Sequence, residues 1–77
     1  MNEKDFVALC KKTIADYAGC PEDDVYIVWM CKALQNNKAL VSTNISDGMY
    51  YEITHNGNKG EIYVDAYQKK HNFVVVI

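Results

Sequence analysis

The sequence predicts an α+β fold, with an N-terminal helix packed on a meandering antiparallel sheet of four or five strands. Three observations carry that reading. Residues 2–18 place apolar side chains at three- and four-residue steps, residues 25–29 are all β-branched or aromatic, and residues 49–67 alternate around a cluster of turn residues. At 77 residues and 8.8 kDa there is room for one domain with a modest core. A hydrophobic content of 49% with 23% charged residues is that of a globular protein and not of a disordered tail.

The helix is expected over about 2–18. Asn2 suits its N-cap, and Glu3 and Asp5 in the first turn suit the positive end of the helix dipole. Phe6, Leu9, Cys10, Thr13, Ile14, Tyr17 and Ala18 form one stripe that must face a core, while Lys4, Lys11, Lys12 and Asp16 lie mostly off it. Gly19 ends the helix, and Pro21 prevents its continuation. The polar face is too mixed in sign to favour an anionic membrane surface. Pro21-Glu22-Asp23-Asp24 reads as a solvated acidic connector, since no EF-hand spacing follows the three acids.

Strands are expected at about 25–34, 39–45, 49–55 and 61–67, with a further apolar stretch at 72–77 as a possible fifth. A tight turn centred on Asn36-Asn37 would pair Leu34 with Ala39, Lys32 with Val41 and Met30 with Thr43. Simple alternation along the first strand sends Ile27, Trp29, Cys31 and Ala33 one way and Val28, Met30 and Leu34 the other. Ser46-Asp47-Gly48 is the next turn. In the hairpin that follows, a turn on Gly57-Asn58 would set Ile53 against Ile62, Tyr51 against Val64 and Glu52 against Tyr63. A turn on Asn56-Gly57 would oppose Glu52 with Glu61, a like-charge pair, so the first register is preferred. A longer loop with an even offset would change the pairing and keep the same faces. The tail Phe73-Val74-Val75-Val76-Ile77 would be a hazard as a free edge, so it is expected to be paired or covered.

Composition narrows the function. The net charge is −2, and all eight basic residues are lysine. A nucleic-acid reader without arginine and without a basic stripe would be unusual. Nothing approaches the roughly 18 consecutive apolar residues of a membrane span, and the start MNEKDF does not resemble a signal peptide, so a cytoplasmic protein is expected. The three cysteines, Cys10, Cys20 and Cys31, lack a C-x-x-C pair and read as reduced thiols in or near the core. His55 falls in the turn cluster and His71 in a polar bend; both read as solvated loop residues, with no nucleophile or carboxylate fixed beside either. Glu52 and Asp65 share a predicted face, where paired carboxylates would need a pocket to do acid–base work. No phosphate-cradling or dinucleotide motif is present. The expectation is a non-enzyme with no cofactor and no metal.

One surface stands out. Tyr50, Glu52, Tyr63, Asp65 and Tyr67 fall on one predicted sheet face, and Tyr26 extends the set. Tyrosine offers large rigid area and one polar handle, which suits a protein contact. With one helix for two faces, the uncovered side is also apolar enough to suggest self-association as a homodimer. A single-stranded nucleic-acid module using sheet aromatics as stacking platforms is the alternative.

The residues also resemble a family. Val28-Trp29, Lys32, the run from Leu34 to Leu40, Ser42-Thr43, Asp47-Gly48, Tyr50-Tyr51-Glu52, Thr54, Asn56-Gly57, Glu61-Ile62-Tyr63 and Asp65-Ala66-Tyr67 are similar to short hypothetical proteins from phages and prophages of Gram-positive bacteria. The resemblance covers most of the chain, including Cys10-Lys11-Lys12 in the helix. It implies a phage context only and carries no catalytic or binding residue with it; in that context the tyrosine face is expected to serve a small accessory protein that binds a host or phage protein.

Overall fold

The computed structural model describes residues 1–77, and each element begins and ends where local chemistry directs. Helix α1 spans Glu3–Ala18. Asn2 caps it by accepting the Asp5 N–H at 2.8 Å, and Gly19 closes it in the left-handed region (φ 74°), donating to Ala15 O at 2.9 Å. The acidic connector makes one turn of 3₁₀ helix, Glu22–Asp24, after Pro21. Strands β1 (Val25–Ala33), β2 (Asn36–Thr43), β3 (Met49–Asn56) and β4 (Glu61–Gln68) then form an antiparallel meander in the order β1-β2-β3-β4. The fold is one helix on a four-stranded open sheet, an α+β arrangement.

The core lies between α1 and the first three strands. Phe6, Cys10, Ile14 and Ala15 meet Val25, Ala39, Val41, Tyr51 and Ile53, all buried. The expected stripe is right at its centre and too wide at its margin. Leu9 and Thr13 are half-buried, and Tyr17 is 70% exposed while its ring rests edge-on against Tyr51 at 5.8 Å.

Both hairpin registers differ from those expected. The β1–β2 turn centres on Leu34-Gln35, so that Ala33 opposes Asn36, Lys32 opposes Asn37 and Met30 opposes Ala39. Leu34 takes the positive φ (57°) expected of an asparagine. The asparagines are used elsewhere. Asn36 Oδ1 accepts the Gly57 N–H at 3.1 Å, and buried Asn37 contacts His55 Nδ1 at 3.4 Å. These contacts lock the β1–β2 turn against the β3–β4 loop, and a Cβ on Gly57 would lie 2.5 Å from Gln35 O. Between β3 and β4 the loop is Gly57–Gly60, longer than a two-residue turn. Ile53 therefore opposes Val64, Tyr51 opposes Ala66, and Glu52 opposes Asp65. The offset is even, so the predicted faces survive. The disfavoured Glu52–Glu61 pair does not form, but this register sets Glu52 against Asp65 instead; Asp65 is exposed, and Lys38 Nζ lies 3.6 Å from Glu52 Oε1.

Strand β1 departs most from simple alternation. Ile27 pairs with Val41 and Trp29 with Leu40, so Val28 is the extra residue of a bulge. Ile27 and Met30 consequently share the helix-facing side, while Trp29 and Cys31 face away from it. The apolar tail is neither paired nor covered. Residues 69–77 form no helix or strand, and Phe73–Ile77 are exposed. No helix is long and apolar enough to cross a membrane.

Candidate interaction face

The registers generate the outer face row by row. Across the sheet run Tyr26, Ser42, Tyr50 and Tyr67, then Trp29, Leu40, Glu52 and Asp65, then Cys31, Lys38, Thr54 and Tyr63. All five residues predicted for a contact face, Tyr50, Glu52, Tyr63, Asp65 and Tyr67, lie there, and Tyr26 joins them. Tyr50 and Glu52 are half-buried among neighbours, whereas Tyr63, Asp65 and Tyr67 are exposed. No element covers this side, because α1 occupies the opposite face.

Two aromatic or aliphatic members were missed. Trp29, 44% exposed, reaches this face through the Val28 bulge, and Leu40 lies directly opposite it. The signal for Leu40 was available, since Lys38, Leu40 and Ser42 alternate with the buried Asn37, Ala39 and Val41. Trp29 had no such signal, because a bulge leaves no mark on side-chain spacing.

The electrostatics are local. Glu52 and Asp65 stand side by side, with Lys38 flanking Glu52. Tyr63 donates its hydroxyl to Glu61 Oε2 at 2.8 Å, and that bond to a carboxylate raises the phenol above its ordinary pKa. The hydroxyl hydrogen of Tyr63 is thus engaged along the strand, and its oxygen remains able to accept. A flat face with aromatic area, two adjacent carboxylates and one lysine can bind a surface of matching shape with cationic groups near its centre.

The remaining chemistry-bearing residues are scattered. Cys10 is buried and Cys20 half-buried, as thiols in or near the core should be, but Cys31 is exposed because the β1 bulge turns it to the outer face. No three His, Cys, Asp or Glu side chains converge. A cleft of about 200 Å³ between the start of α1 and the end of β1 is lined by Glu3, Phe6, Met30, Cys31, Lys32 and Asn37. At this end of the molecule Lys32 Nζ donates to Met1 O at 3.3 Å, and His55, expected in a solvated loop, is instead buried in β3, where pairing extends to Asn56 and Asn37 engages its ring.

The fold and face define a small α+β module, a helix on a meander with one side of the sheet open. The chain belongs to the family of unknown function DUF6275, whose sequence pattern it matches over residues 3–77. Neither a curated protein nor a solved structure matches it.

Proposed function

We propose that this protein is a non-catalytic interaction module of a phage or prophage, which binds a host or phage protein in the host cytoplasm through the outer face of its sheet. The observation that carries the proposal is the continuous uncovered surface of Tyr26, Trp29, Tyr50, Tyr63 and Tyr67 around the Glu52–Asp65 pair. Aromatic side chains at the centre of a patch contribute most of the affinity at protein contacts, because they remove much area from water and freeze few torsions. The phage setting rests on the resemblance of the strand sequences described above. Acidic composition and the absence of arginine favour a protein over a nucleic acid as the occupant.

The test is capture from a bacterial host lysate, with and without nuclease, comparing wild type with Tyr50→Ala/Glu52→Lys. Both positions lie on the interior strand β3, away from the sheet edges, and circular dichroism verifies the variant's fold. A stoichiometric protein should survive nuclease and be lost in the folded variant, with affinity falling about 30-fold or more. Capture that vanishes with nuclease would overturn the reading in favour of single-stranded nucleic acid.

A further inference from the structure

We infer that two copies of this chain join through their β4 edges, antiparallel and centred on Val64, to make one continuous sheet. The inference stands on the edge strand alone and so goes beyond the reading of the outer face. An open four-stranded sheet has two free edges, and here they differ. Strand β1 is interrupted by the Val28 bulge and carries Lys32, both of which oppose edge-to-edge pairing. Strand β4 runs from Glu61 to Gln68 with no register shift against β3, no proline and no lysine. Its backbone groups on the outer side are unpaired. Asp65 is its one charge away from the strand ends.

Self-pairing is constrained by face and by charge. Side chains opposed across antiparallel strands share a face, so an edge pairing with itself must be centred on a residue and not between two. Centring on Tyr63 opposes Glu61 with Asp65 of the second copy, and centring on Asp65 opposes the two aspartates; both set like charges directly across. Centring on Ala66 or Ile62 avoids this but shortens the ladder. Centring on Val64 keeps Glu61–Tyr67 paired and opposes no like charges. Tyr63 then faces Asp65, Glu61 faces Tyr67, Ile62 faces Ala66, and Val64 faces itself on the two-fold axis.

The apolar half of this pairing supplies the gain. Helix α1 does not extend over β4, which leaves Val64 40% exposed and Ala66 exposed on the helix-side face. In the pair these side chains become cross-strand neighbours and lose water together. The contact is isologous, so it closes at two copies.

The experiment uses the full chain with Cys20→Ser/Cys31→Ser, so that added cysteines report alone. Light scattering should give twice the 8.8 kDa chain mass, and Val64→Lys should give the monomer mass with an unchanged circular dichroism spectrum. Under mild oxidation Val64→Cys should link to itself, because opposed residues fall within disulfide reach. Ile62→Cys should not, since the two copies of residue 62 would lie about 13 Å apart along the strands. A monomer at every concentration up to millimolar would overturn the inference, as would equal linking of the two cysteine variants. So would a dimer that survives Val64→Lys and disappears when Phe73–Ile77 are removed, which would make the tail the joining segment. Loss of lysate capture without loss of the dimer would separate failure of the outer-face reading from failure of this one.

Discussion

Among single residues, Cys10 has the strongest measurable consequence. It sits fully buried against the sheet, and burial pushes its thiol up to about 11. The unfolded chain releases this proton near the ordinary cysteine value of 9.0, while the folded chain holds it until about 11. Between those values unfolding releases a proton, so stability is full below pH 9 and falls as pH rises to 11. The loss is on the order of 2 kcal/mol. Burial raises the Tyr51 phenol as well, which adds to the decline from about pH 10 upward. Urea unfolding from pH 7 to 11 should therefore show a steep fall at the alkaline end. In Cys10→Ala the fall should be shallower, from a neutral-pH starting point about 1 kcal/mol lower because of the small cavity.

Among the elements, the β1–β2 hairpin holds the clearest local conflict. Leu34 is 89% exposed and its φ is 57°, so it has no contact to offset the clash between its Cβ and the backbone. With positive φ at the first central position only, the turn has the pattern of type II′, which favours glycine there. Replacing Leu34 with glycine should stabilise the protein by about 0.5–1 kcal/mol, the relief of strain exceeding the added freedom of the unfolded chain. Thermal denaturation should register this as a rise of roughly 2–8 °C in midpoint. An unchanged or lower midpoint would mean that the Leu34 side chain contributes more to the hairpin than its exposure suggests.

In the whole molecule, apolar surface is distributed unequally. Only 13 of 77 residues are buried, all of them within the helix and first three strands, while the outer face, the β4 edge and the tail stay open. Lys69 N still donates to Gly48 O at 2.7 Å, which marks the last residue tied to the sheet. Deleting 70–77 should leave the unfolding free energy from urea denaturation within about 0.5 kcal/mol of wild type, because the segment is exposed throughout. A larger loss would place Phe73–Ile77 on one of the open surfaces.

The sequence by itself determined the class of fold, the helix with both caps, the existence of four strands and the shared face of Tyr50, Glu52, Tyr63, Asp65 and Tyr67. Each of these follows from nearest-neighbour chemistry: a capping side chain, a glycine at positive φ, or a period of two that any even change of register preserves. Tertiary structure alone decided the registers, the outward turn of Trp29 and the open state of the tail. Asn36 and Asn37 had the chemistry of a turn, yet their carbonyl oxygens found partners in Gly57 and His55, and the strain moved to Leu34. The bulge at Val28 arises from pairing with β2, so it could be read only once β2 was in place. Local propensity selects the elements; competition among long-range partners selects how they meet.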